Sequence, residues 1–301
     1  MGNQPNFFLV GAPKAGTTAL YEYLREHPDI CMSQIKEPHY FARDFDSYPR
    51  VRDEGEYLAL FRNCRDDHIA VGEASVWYLY SEVALPLIRE RYPGARILVA
   101  LRNPIDLAYS LHSQALYNFN EDEPDFMRAW ALQEQRLEGK RIPRRCKAPQ
   151  ILQYKMVASL GWQVERLQQL FPEAQIKYLF FDDLIADVSA VYAEVLDFLG
   201  LEHDERTRFD PVNEGKGHRF HWLGKMTQAP PGPALTVFRF LRKRMGLNLN
   251  AFLNFVRSLN DRPRARPPLS AALREQLAQE FASDVKRLAY LTGRNLDHWL
   301  N

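Results

Sequence analysis

The run Gly11-Ala-Pro-Lys-Ala-Gly-Thr-Thr18 holds residue types that bind an anion and could neutralise charge on a leaving oxygen. Gly11 and Gly16 permit a tight turn and close approach of backbone to ligand. Thr17 and Thr18 add hydroxyl donors where a helix begins, and the first N–H groups of a helix have no partner within it. The GxxxxG spacing is that of a Walker loop, but Thr17 stands where a triphosphate-binding loop has its lysine. The lysine, Lys14, lies inside the loop. A second pair follows the apolar run Arg96 to Leu101: Arg102, and Ser110 eight residues later. Arg102 ends its strand where a Walker B strand is followed by a metal-binding Asp. Its planar fork suits a phosphate. Together these groups suit an anionic nucleotide held by side-chain cations without a metal. The segment Lys36-Glu37-Pro-His39-Tyr-Phe41 is the best source of a base for an alcohol acceptor, as either Glu37 or His39. A late basic turn carries Lys216, Gly217 and Arg219.

These groups need a sheet edge to converge. Phe7 to Val10, Arg96 to Leu101 and Gln175 to Phe181 read as buried strands. Helices are expected from Thr17 or Thr18 to about Glu26, from about Ile105, from Tyr154 to Phe171, and from Val188 to Leu199, which Gly200 closes. Strands alternating with helices predict an α/β fold: a P-loop-type parallel sheet flanked by helices on both faces. The 301 residues carry no repeat or low-complexity linker and read as a single domain, 1–301. The stretch 228–268 is expected as a helical lid or insertion, and its basic amphipathic part, Thr236 to Arg257, as a possible peripheral membrane contact.

The formal net charge of +1 excludes a global field for nucleic acid, so any anion site is local. Cys31, Cys64 and Cys146 form no CxxC pair and suggest no disulfide framework, which favours a reducing compartment. No signal peptide or transmembrane segment is visible. A cytoplasmic, bacterial enzyme or an excised domain is expected.

With these motifs in hand, the chain resembles the sulfotransferases that use 3′-phosphoadenosine-5′-phosphosulfate (PAPS). Their 5′-phosphosulfate loop reads like PKAGTT, and their 3′-phosphate element is an Arg at a strand end with a Ser eight residues on. The resemblance runs through Tyr154, Phe198 to Leu201, Asn213 to Gly217 and the terminal TGRNLDHWL. It is weak from Phe119 to Pro149 and from Gln228 to Pro268. It implies PAPS as co-substrate and 3′-phosphoadenosine-5′-phosphate (PAP) as product, with no metal. Pro13, Lys14, Ala15, Gly16, Thr17, Thr18, Arg102, Ser110, Lys216, Gly217 and Arg219 would bind it, and Lys14, Glu37 and His39 would be catalytic. Glu37 and His39 match a glutamate and a histidine of the heparan-type enzymes. The chain departs from the cytosolic small-molecule enzymes, because Gly72 to Gly94 holds no histidine. It departs from the heparan 3-O type at Ala74, where those have a lysine; Lys36 is the candidate substitute. The acceptor is then an alcohol on a small molecule, sugar, lipid or polyketide-like chain. The rival readings are a P-loop kinase or NTPase and a non-catalytic nucleotide-binding protein. The sequence leaves the oligomeric state open, and His112 reads as structural.

Overall fold

The computed structural model describes residues 4–45, 51–210, 216–218, 261–263 and 267–301. Five strands form one sheet: β1 (Phe7–Gly11), β2 (Ile30–Met32), β3 (Ala70–Ala74), β4 (Arg96–Leu101) and β5 (Ile176–Phe180). Their order is β2-β3-β1-β4-β5, and every neighbouring pair is parallel. Phe7, Phe8, Leu9 and Val10 are all fully buried, although successive side chains of a strand point to opposite faces. Both faces of the sheet are therefore covered, as an α/β fold requires. The chain leaves β1 toward one edge of the sheet and β4 toward the other. That reversal makes a switch point between β1 and β4, where parallel sheets open a crevice at their carboxyl ends.

The covering helices are α1 (Thr17–Arg25), α2 (Glu54–Ala59), α3 (Ala84–Arg91), α4 (Pro104–Tyr117), α5 (Phe126–Ala131), α6 (Gln133–Leu137), α7 (Tyr154–Ala158), α8 (Leu160–Leu170), α9 (Phe181–Ala186) and α10 (Val188–Leu199), with a terminal helix, Ala271–Thr292. α4 begins directly after β4 because Asn103 accepts from the Ile105 N–H and Pro104 fills the first helical position. Gly200, in the left-handed conformation, ends α10 as its position suggested.

Three expectations are revised. The single helix read from Tyr154 to Phe171 is two, α7 and α8, parted at Ser159. The Asp284 carboxylate, from the terminal helix, accepts from the N–H groups of Gly161 and Trp162 and starts a new helix there. A tertiary cap thus overrides a continuous apolar period. β2 and β3 lacked a strand signature: β2 has only three residues, and Gly72 and Glu73 interrupt the apolar run of β3. Finally, Cys31 and Cys64 form a disulfide with Cα atoms 5.5 Å apart, and Cys146 is the free cysteine. β2 and the turn after α2 bring together thiols 33 residues apart, so spacing alone hid the pair. The pairing removes the cysteine argument for a reducing compartment.

A short strand β6 (Lys216–His218) pairs antiparallel with β7 (Asp261–Pro263) and lies alongside α4. Arg219, the stretch Thr236 to Arg257 and nearly all of 228–268 lie outside the described residues. Among the described residues no helix is long and apolar enough to cross a membrane.

Candidate active site

The loop between β1 and α1 has a glycine at each end by steric necessity. A Cβ on Gly11 would lie 2.5 Å from the backbone N of Ala100, and one on Gly16 would lie 2.4 Å from Leu184 Cδ2. Both glycines have positive φ, 137° and 81°. Gly16 occupies the N-cap of α1 with no side-chain cap, so the first-turn N–H groups face outward without an internal acceptor. This cradle fits a phosphate. Thr17 is buried and Thr18 half-buried at the mouth. Pro13 and Ala15 are buried and back the loop.

Lys14 adopts φ 67°, a left-handed conformation that costs a non-glycine residue about 1–2 kcal/mol. Its ends are held from outside. The Lys14 carbonyl accepts from Arg102 Nη1 at 2.7 Å, and its ammonium donates to Gln114 Oε1 at 3.1 Å. The Arg102 guanidinium lies 4.3 Å from the Phe181 ring centroid, a cation–π distance. Ser110 is buried two turns into α4. Gln114 is one turn beyond Ser110. Sequence reasoning missed it, although the i, i+4 relation to Ser110 was the available signal.

The second half of the site is a strap, residues 33–45, lying at the carboxyl end of β3. Because β3 is the neighbour of β1, the strap and the phosphate loop are side by side. Glu37 and His39 also have positive φ, 60° and 53°. Three of the six described non-glycine residues with positive φ are therefore the three candidate catalytic residues, the pattern expected where function fixes a backbone. The Lys36 ammonium contacts Glu37 Oε1. His39 Nε2 lies 3.5 Å from Glu37 Oε2, within ion-pair range but long for a hydrogen bond. Burial pushes the Glu37 carboxyl up, but His39 and the Lys36 ammonium more than offset it and hold the group well below the usual carboxylate range. Glu37 is thus ionised across the neutral range. Ala74 is fully buried, and its carbonyl accepts from the Glu37 N–H. Lys36, not a residue on β3, is the cation beside this carboxylate.

His112 lies away from this cluster. It is buried beside Phe126 and Tyr154, with Nε2 2.9 Å from the Glu123 carbonyl, and burial lowers its pKa. Tyr154 donates to Glu121 Oε2 at 2.6 Å, within a buried Glu121–Arg136 pair that ties α6 and α7 together. The TGRNLDHWL end is tied to the β5–α9 corner. Arg294 pairs with Asp183, and Trp299 Nε1 donates to Asp182 at 2.6 Å. Asn103 Nδ2 in turn donates to the Trp299 carbonyl at 2.9 Å.

A family model described as "Sulfotransferase domain" matches residues 4–213 of this chain. The chain belongs to the sulfotransferase family. Among solved structures, a sulfotransferase from Alicyclobacillus acidocaldarius is similar over 99% of this chain and 100% of its own, with TM-score 0.70 and 28% identity. Among curated proteins, human carbohydrate sulfotransferase 15 is 30% identical over 147 residues, which cover 35% of this chain and 26% of the relative. Human heparan sulfate glucosamine 3-O-sulfotransferase 3B1 is 27% identical over 231 residues, 73% of this chain and 55% of the relative. The chain thus spans between a quarter and about half of the length of these two sulfotransferases.

Proposed function

We propose that this sulfotransferase moves the sulfonyl group of PAPS to an alcohol hydroxyl and releases PAP, with a sugar hydroxyl as the favoured acceptor. The observation that carries the reading is the junction at the β1/β4 switch point. There, Gly11 and Gly16 frame a phosphate cradle whose Lys14 carbonyl is held by Arg102, and the strap that carries Glu37 lies at the end of the neighbouring strand β3. The names of the carbohydrate and heparan sulfate relatives support the sugar acceptor.

In this reading the first-turn N–H groups of α1, with Thr17 and Thr18, bind the 5′-phosphate. Arg102 and Ser110 bind the 3′-phosphate, with Lys216 and Gly217 approaching from β6. The acceptor oxygen attacks sulfur in line, and the bond from sulfur to the bridging oxygen breaks. Lys14 neutralises the electron pair left on that oxygen. The hydroxyl proton passes to Glu37. A carboxylate this acidic is a weak base, but sulfonyl transfer, like phosphoryl transfer, has a loose transition state. The attacking hydroxyl sheds its proton late, when it has become strongly acidic, and a weak base then suffices. His39 and Lys36 fix the orientation of Glu37 until then.

The test is calorimetric titration with PAP in EDTA, repeated with ATP and Mg²⁺. The expected result is metal-independent PAP binding with weaker ATP binding, followed by transfer from labelled PAPS to heparosan or chondroitin. Preference for Mg-ATP, or no PAP binding, would overturn the proposal.

A further inference from the structure

Glu73, the fourth residue among the five of β3, is a carboxylate with no exposed surface. Its three hydrogen-bond partners are all hydroxyls. Oε1 accepts from Tyr57 Oη and Tyr78 Oη, each at 2.9 Å, and Oε2 accepts from Ser75 Oγ at 2.9 Å. Two of those hydroxyls have a second role. Ser75 Oγ accepts from the backbone N–H of His39 at 3.2 Å, and Tyr78 Oη accepts from the backbone N–H of Phe41 at 3.3 Å. The preceding link in the series is the Glu37 N–H to the Ala74 carbonyl, 2.9 Å. Residues 37, 39 and 41 of the strap therefore hang from β3 and its following turn by a ladder. Its first rung is a carbonyl, and the next two are hydroxyls standing in for carbonyls.

A hydroxyl has one proton, and its direction decides whether the oxygen can accept. Donation to Glu73 turns the Ser75 and Tyr78 protons away from the strap and leaves their lone pairs to receive the His39 and Phe41 N–H groups. We propose that Glu73 is a positioning residue: its carboxylate polarises these two hydroxyls so that they hold the strained strap from which Glu37 and His39 face the reacting atoms. This inference rests on the sulfotransferase reading for its purpose, but the ladder itself is testable without turnover.

The proposal makes the ladder sensitive to the charge on Glu73. An ionised carboxylate accepts from all three hydroxyls, whereas a protonated one presents a donor to one of them and reverses that hydroxyl. The titratable groups facing Glu73 are Tyr57 from α2, Tyr78 from the turn after β3 and Tyr92 from the end of α3. β1 places Phe8 opposite it in register. With no cation among its hydrogen-bond partners in the described residues, burial lifts the carboxyl to about 7, against the lowering effect of the three hydroxyls. The ladder's charge state thus changes near neutrality.

The experiment is hydrogen exchange of the full chain, wild type against Glu73→Gln, at pH 8 and pH 6 after correction for intrinsic rates. Glutamine keeps the volume but puts an NH₂ where an acceptor stood. At pH 8 the variant is expected to lose at least about tenfold protection at the His39 and Phe41 amides, while β1 and β4 stay protected. The wild type is expected to lose the same local protection at pH 6, with the variant insensitive to pH. PAP affinity of the variant is expected to stay within about twofold of wild type. Unchanged protection of the strap in the variant would overturn the inference. If the variant does not fold, Ser75→Ala removes the His39 rung together with one donor to Glu73, leaves the Phe41 rung in place and is read the same way, with unchanged His39 protection again overturning it. Absence of PAP binding by the wild type would instead count against the sulfotransferase reading and leave the exchange result to stand or fall separately.

Discussion

Replacing Arg102 by alanine separates two contributions that this side chain makes. One is structural: Nη1 holds the Lys14 carbonyl at 2.7 Å, and so the left-handed turn of the phosphate loop. A net hydrogen bond of this kind is worth about 1 kcal/mol, or about fivefold in any affinity that depends on the loop. The other is the contact with the 3′-phosphate, a charge-assisted bond worth about 1.5–3 kcal/mol. PAP binding should therefore weaken by about 2.5–4 kcal/mol, roughly 70- to 900-fold. Adenosine 5′-monophosphate, which lacks the 3′-phosphate, should lose only the fivefold. Lysine at this position should not restore PAP binding, because it cannot both stack on Phe181 at 4.3 Å and offer a planar fork. Calorimetry of wild type, Arg102→Ala and Arg102→Lys with both nucleotides measures all of this. Equal losses on the two nucleotides would refute a 3′-phosphate contact and reduce Arg102 to a brace for the loop.

Lys14→Ala should lower turnover by about 10²–10³ while PAP affinity falls less than tenfold, since the ammonium acts on charge that develops only in the transition state; equal falls in rate and affinity would refute that role. Gly16→Ala places a Cβ 2.4 Å from Leu184 Cδ2 at φ 81°, so melting should drop by several degrees and PAP binding should weaken; an unchanged melting point and affinity would show that the cradle tolerates a side chain. The Glu73 carboxyl is raised from 4.5 to about 7, so between these values the folded chain keeps a proton that the unfolded chain has lost. Its contribution to stability is therefore largest at low pH and declines as pH rises through that window, by about 3 kcal/mol from the difference in pKa. Urea unfolding of wild type and Glu73→Gln at pH 5 and pH 8 should show the difference between them shifting by that amount, and a constant difference would refute it.

The sheet's two central strands and the groups at their ends were legible because each is a short event. An apolar run stops at a glycine turn or at an arginine, and a helix begins at once. Lys14, Arg102 and Ser110 needed only their place on that frame. β2 was not legible because it has three residues, and β3 because Gly72 and Glu73 break its apolar run, whereas β1 of the same length is apolar up to its closing glycine. What they carry was hidden with them: the Cys31–Cys64 disulfide, and the hydroxyls of Ser75 and Tyr78 that receive the strap. Glu37 and His39 could be named from their neighbours, but their left-handed backbone could not, since neither residue type announces it. Lys36 beside Glu37 is a similar case. The sequence shows the two adjacent, and only the strap's conformation turns the ammonium back onto the carboxylate.

The contact between Asn103 and Trp299 has a consequence for the order in which the protein matures. Asn103 starts α4 with one side of its amide and grips the Trp299 carbonyl with the other. Trp299 leaves the ribosome almost 290 residues after Gly11 of the phosphate loop. During synthesis the nucleotide cradle therefore exists for a long interval without the latch that steadies its second wall. A stalled or truncated chain that ends before Trp299 lacks the carbonyl that takes the Asn103 amide at the start of α4.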